Sequence, residues 1–261
     1  MAITALDGVI AATKRRVVYQ KTASRTSVAN ISFSVFDLAG NPGAGTLAVG
    51  NTANGIVPTD ALAGYPLLAT QAATLYLNRI QARSSVACWL DVYDTLFSAG
   101  AYAFNANTTL TAQPSYAGRV PATDYNGLEL WLEAVTAFTG SQSIRVQYLD
   151  QGGAAGDTGT IATAVAPTIG RMFLMPLAAG DSGIQQVNVV TSTVSTVGTF
   201  NVHVLRWLWG CRINAANQGV VDSLLKTGLP QIYDASALRV IVTPDSTATG
   251  LPSLRAGSAD G

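Results

Sequence analysis

Gly183–Arg212 reads GIQQVNVVTSTVSTVGTFNVHVLRWLWGCR, and its second half decides the fold class. Phe200, Val202 and Val204 alternate with Asn201 and His203, the period-2 pattern of a strand with one apolar and one wet face. After Val204 the pattern changes. Leu205, Trp207 and Trp209 continue the face that Asn201 and His203 began, while Leu208 stays on the other. A strand that is apolar on both faces is covered on both faces, either by this chain or by another. Leu205, Trp207 and Trp209 are therefore expected in a subunit contact or beneath an N-terminal arm that folds back.

Strand-like segments surround this one. Residues 28–36 alternate, and further candidates run over 74–82, 86–94, 108–112, 128–137, 142–149, 158–165, 171–177, 184–194 and 237–243. Gly-rich turns separate many of them, and no helical pattern alternates with them, which disfavours a doubly wound α/β fold. The expectation is an all-β chain: a jelly-roll-like antiparallel β-sandwich over 71–243, an extended N-terminal arm and loop over 1–70, and a loose C-terminal tail over 244–261. A short helix is expected within residues 3–14 and one helical turn around Asp222–Lys226. The irregular stretch Leu38–Thr70 is either a surface loop or an arm ordered against a neighbouring subunit, and the arm reading is carried forward.

Composition narrows the function classes. Of 261 residues 48% are hydrophobic and 11% charged, against about 25% charged in an ordinary soluble domain. Such a chain suits extensive burial in sheet or in an assembly. Fifteen cations balance fifteen anions, which argues against global attraction to nucleic acid or to an anionic membrane. The balance is uneven locally. Lys14, Arg15, Arg16, Lys21 and Arg25 lie between Gly8 and Phe36 with no anion among them. Such an arm is either merely solvated or binds an acidic protein surface, and the partner reading, with these five as contacts, is carried forward; nucleic-acid binding by so few cations would be nonspecific and salt-sensitive. No signal peptide or membrane-spanning helix is visible, so the expectation is a chain made in a cytoplasm. Cys88 and Cys211 read as buried thiols rather than a disulfide framework.

Motifs for chemistry are weak. Gly180-Asp181-Ser182-Gly183 looks like the nucleophile segment of trypsin-like proteases, but Ile184 follows, and His203 comes after the serine without the Ala-Ala-His-Cys setting. That segment reads as a tight turn. His203 is the chain's sole histidine and cannot build a common zinc site; it is expected to face solvent or a subunit. Glu129 and Glu133 sit four apart on a strand, about 13 Å, too far for a glycosidase pair, and read as a solvated face. Asp150 and Asp157 bracket a hairpin loop without calcium-loop spacing. No phosphate-loop motif occurs at residues 40–55. No catalytic, metal-ligating or cofactor-binding residue is assigned.

Phe36-Asp37-Leu38-Ala39-Gly40-Asn41-Pro42-Gly43-Ala44-Gly45 with Gly64-Tyr65-Pro66, and the later run from Leu177 to Val187 (LAAGDSGIQQV), resemble tailed-bacteriophage virion structural proteins of the capsid decoration (cement) type. The resemblance spans most of the chain and its motifs are structural. It implies a non-enzymatic protein on the capsid surface of the virion, with the major capsid protein and further copies of itself as partners, a trimer first. Fibre-base, vertex or tail structural roles are the nearest alternatives. A carbohydrate-binding or glycan-degrading adsorption module is the alternative of another class, with Trp131 its candidate platform.

Overall fold

A computed structural model describes residues 5–68, 74–140, 142–163, 167–192 and 197–260. The ends of the expected segments 158–165 and 184–194, and the first residues of the expected helix, lie outside these. The chain is mostly antiparallel β-sheet, as the alternation predicts. It divides into two compact units, one of Met1–Gly45, Thr59–Asp94 and Leu208–Gly261, the other of Thr46–Pro58 and Thr95–Trp207.

The first unit contains a six-stranded sheet. Its order is Gly219–Ser223, Thr74–Ser84, Pro252–Asp260, Lys14–Lys21 and Gly40–Asn41, with Gln231–Tyr233 also on Thr74–Ser84. Val17 and Tyr19, Leu77, Ile80 and Ala82, and Leu254 and Ala256 point from it into a core. Phe33, Leu90, Val92, Val240, Val242, Cys211 and Ile213 supply the other side of that core. Both cysteines are free and buried there, and burial pushes the Cys211 thiol up to about 12, which makes it a poor nucleophile.

The second unit has its own core. A five-stranded sheet runs Ala155–Asp157, Ser143–Asp150, Ile184–Ser192 and Ala106–Thr109, with Ile161–Ala162 also on Ser143–Asp150. Ile144, Val146, Tyr148, Val187 and Val190 from these strands meet Leu130, Leu132, Ala134, Phe97, Phe200, Val202 and Val204.

Two long strands, Cys88–Ala103 and Thr199–Ile213, carry residues of both units, and this explains the doubly apolar reading. Phe200, Val202 and Val204 serve the second core, whereas Trp209, Cys211 and Ile213 serve the first. Leu208 joins the first core beside Trp209, so both faces of the strand contribute there. The other strand likewise passes from Cys88, Leu90 and Val92 in the first core to Leu96, Phe97, Ala99 and Tyr102 in the second. The change of core falls at the boundary between units, at Asp94/Thr95 and Trp207/Leu208.

Three expectations can be placed in the fold. The body expected over residues 71–243 is shared between the two units, whose boundary cuts through two strands. Lys14–Lys21, read as arm, and Pro252–Asp260, read as tail, pair side by side from Lys14↔Ala259 to Gln20↔Ser253. Leu205 and Trp209, read as lying in a subunit contact or beneath the N-terminal arm, are 0% and 2% exposed within their own chain; Trp207 is half exposed. Trp209 is held by its Nε1–H, which donates to Asp222 Oδ2 at 3.0 Å.

The expected helix appears as Leu6–Ala11 and the helical turn as Leu224–Thr227. The motif Phe36–Gly45 closes on itself. The Phe36 ring lies 4.7 Å from that of Tyr65, with the Arg239 guanidinium 4.6 Å from the Phe36 centroid. A Cβ at Gly45 or Gly64 would fall within 2.2–2.4 Å of the Phe36 ring, so glycine is required at both.

Candidate functional site

Two polar constellations stand out, one in each unit. In the second unit the face expected to be wet is covered. Asn201 Nδ2 donates to Leu47 O at 2.6 Å, Tyr102 donates to Thr52 O, and Asn51–Ile56 pairs along Cys88–Ala103 at Asn51↔Gly100 and Ile56↔Ser98. Asn201 is 0% and His203 1% exposed, which corrects the solvent-facing expectation. The physical reason is that residues of the stretch read as an arm order against their own unit.

Burial obliges these groups to satisfy one another. His203 Nδ1 lies 2.7 Å from Ser98 Oγ, and His203 Nε2 lies 3.0 Å from Glu133 Oε2. A neutral imidazole protonated at Nε2 fits both contacts, donating to Glu133 and accepting from the serine hydroxyl. Serine, imidazole and carboxylate in this order match the parts of a nucleophilic triad. Yet Ser98, His203 and Glu133 are at most 2% exposed, so no substrate carbonyl reaches Ser98 Oγ in this conformation. Glu133, read as solvated, is fully buried. Pairing Asn201 with Glu133 and His203 with Trp131 across the sheet brings the acid and the base together, a proximity invisible to local spacing.

The other chemical candidates resolve as structural. Asp181 accepts from the Tyr148 hydroxyl at 2.6 Å, and Ser182 bonds Asn126. Asp150 Oδ1 accepts from the Gly152 and Ala154 amides and closes its hairpin. A hydrogen bond from Arg145 draws the Asp157 carboxyl down to about 2. Trp131 is buried, with Nε1 donating to Glu129 Oε2 at 2.7 Å, and therefore offers no sugar platform.

In the first unit the five expected contact cations part company. Lys14 Nζ donates to Ala12 O at 2.6 Å and to the carbonyls that end the short helix. Lys21 is 3% exposed and donates to Pro42 O at 3.0 Å and Gly43 O at 3.1 Å; burial pulls its pKa down to about 8, opposed by Asp37. Arg25 pairs with Asp37 at 2.5 Å. Arg15 is half-buried. Arg16 stands in solvent on the outer face of the six-stranded sheet, and there it meets residues that local reading did not single out.

The same alternation that sends Val17, Tyr19, Ile80, Ala82, Leu254 and Ala256 inward sends Arg16, Arg79, Arg83 and Arg255 outward. Register sets their lattice. Arg16 and Arg79 flank Gly257 in one row; Val18, Arg255 and Gln81 make the next; Gln20, Ser253 and Arg83 make the third. No arginine lies directly opposite another, which limits repulsion. Beyond Thr74–Ser84 the rows continue with Ser223, Val221 and Gly219, none of them acidic. Among the described residues none of the four arginines has an ion pair. Arg16, Arg79, Gln81 and Arg255 line a cleft of about 270 Å³ floored by Gly257. Gln20, Gln81, Arg83, Ser253 and Arg255 line an adjoining one of about 180 Å³.

Arg79, Gln81 and Arg83 could have been found in RIQAR, whose alternation puts them on one face. Arg255 and its place beside them depend on pairing across the whole chain.

No family model matches the chain, and no curated protein matches it. Among solved structures it is similar to infectious bursal virus derived T=1 particles at 10% identity, over 95% of this chain and 78% of that one, with a TM-score of 0.18. It is likewise similar to infectious bursal disease virus Gt strain at 11% identity, over 95% and 81%, with a TM-score of 0.18. A third, the infectious bursal disease virus VP2 subviral particle, matches at 10% identity, over 97% and 80%, with a TM-score of 0.14. Superposition this loose carries no argument about fold or function.

Proposed function

We propose that this chain is a non-enzymatic virion structural protein of the capsid-decoration type, bound to an acidic capsid surface through the outer face of its six-stranded sheet. One observation supports the reading above the others. Four exposed arginines share that face with no carboxylate partner among the described residues, in a chain whose net charge is zero. A folded chain gains nothing internally from such a lattice, and a complementary surface supplies the missing charge. The resemblance of the Phe36–Gly45 and Leu177–Val187 segments to tailed-phage virion proteins supplies the setting. Stable attachment needs an interface of roughly 1,600 Å². Many copies bridging neighbouring capsomers gain further by effective concentration.

Truncating the N terminus is a poor test, since residues 14–21 form a strand inside the sheet. Arg79→Gln with Arg255→Gln leaves the backbone pairing intact. Retention of this variant on purified shells is expected to fall by about tenfold or more at physiological salt. Undiminished retention would remove the reading. Copy number per particle separates decoration, in hundreds, from a vertex or tail role, in tens or fewer.

A further inference from the structure

We infer that the arginine face takes an acidic polypeptide segment in extended conformation, with carboxylates at alternate residues, lying along the direction of the strands. The inference rests on the capsid-binding reading of the same face and specifies its partner.

The lattice carries the argument. Row one holds Arg16 and Arg79, row two Arg255, and row three Arg83. A guanidinium therefore recurs at every two-residue step, about 6.8 Å. An extended polypeptide presents its alternate side chains to one side at the same repeat. Carboxylates at successive alternate positions meet a cation in each row, the long arginine side chains spanning the sideways offset of one strand, about 4.8 Å, between Arg79, Arg255 and Arg83. All four cations are arginine, whose planar fork binds carboxylate through two parallel hydrogen bonds.

The adjoining clefts share Gln81 and Arg255, so they form consecutive subsites. Gly257 leaves the floor of the larger one open between Arg16 and Arg79. Gln20 and Gln81 add amides that both donate and accept, as a peptide backbone requires. Single-stranded nucleic acid is the poorer fit. Its binding faces stack bases on aromatic rings, and the three rows contain none.

The test uses the full chain and fluorescence anisotropy. One labelled probe is a peptide of about eight residues alternating Glu and Thr; a second has the same composition with its glutamates contiguous. The alternating peptide is expected to bind about fivefold tighter, because contiguous side chains of a strand point to opposite sides. Arg79→Gln with Arg255→Gln is expected to weaken it about tenfold. Gly257→Val fills the floor and keeps every charge. A Cβ there meets the Asn78 amide oxygen at 2.8 Å, the movable end of a side chain, which must shift to admit it. It is expected to weaken binding about fivefold by closing the larger subsite.

Equal affinity for the two peptides, no loss in the arginine variant, or tighter binding of a DNA oligonucleotide of equal charge would each overturn the inference. Shell retention tells the two claims apart. Arginine-dependent retention without peptide discrimination leaves the decoration reading standing and removes the extended-segment partner. Arginine-dependent peptide binding without retention does the reverse.

Discussion

Ser98, His203 and Glu133 in the second unit, and Arg16, Arg79, Arg83 and Arg255 in the first, are both polar sets on β-sheet faces, and solvent has sorted them in opposite ways. The first set is sealed, and each member answers another at 2.7–3.0 Å. The second stands in water, and among the described residues none of its members has an ion pair. Burial makes an unsatisfied polar group cost about 1–3 kcal/mol, so a sealed set must close on itself. Exposure removes that requirement, and unneutralised charge can persist where a partner will later neutralise it. The histidine, the residue most suggestive of chemistry, thus lies in the region least able to meet a partner.

Variants can break or sharpen this contrast. The largest effect is expected from Glu133→Ala, which removes the carboxylate that meets His203 Nε2 and leaves a cavity. It should cost about 3–5 kcal/mol in urea unfolding. A loss below about 1 kcal/mol would show that the sealed set contributes little to stability.

Lys21, a buried cation in the same unit as the exposed arginines, is expected to act next. Its folded pKa of about 8 lies below the unfolded value of 10.5. Between those values the unfolded chain holds a proton that the folded chain has released, so the Lys21 contribution rises with pH across this window. The difference in unfolding free energy between the native chain and Lys21→Met should climb from pH 8 to 10.5 by on the order of 3 kcal/mol. A flat difference would refute the buried charge.

The smallest stability effect belongs to Arg79→Gln with Arg255→Gln. It should change unfolding free energy by no more than about 0.5 kcal/mol, with any change favourable at low salt where like charges are relieved. A loss beyond about 1.5 kcal/mol would make these arginines part of the fold instead of a surface reserved for a partner.

Much of the local architecture is legible in the residues. Segments 128–137, 142–149 and 237–243 are found as Leu128–Thr136, Ser143–Asp150 and Leu238–Pro244, because alternation there is clean. Lys14–Lys21 also alternates, with Val17 and Tyr19 inward, but its run of cations reads as an arm. Pro252–Asp260 reads as a tail because its small residues carry little hydrophobic signal. Its inward Leu254 and Ala256 acquire meaning only beside Val17 and Ile80. Of the expected contact cations, Arg16 alone joins the exposed lattice, since nothing in a local window tells that Lys21 will be enclosed by the carbonyls of Pro42 and Gly43.

By itself the sequence determined that this protein is built of strands and which residues share a side of each. That follows from a two-residue periodicity set by the backbone and readable within a few positions. Tertiary structure decided which side is dry, that one strand serves two cores, and that Arg16, Arg79 and Arg255 become neighbours. Those outcomes depend on what covers a face and on pairings more than two hundred residues apart, such as Arg16↔Gly257, which no local pattern encodes. The stretch after Val204 is where the two levels meet: apolar residues on both faces are written in the sequence, and the passage from one core to the other at Trp207/Leu208 is settled by the fold.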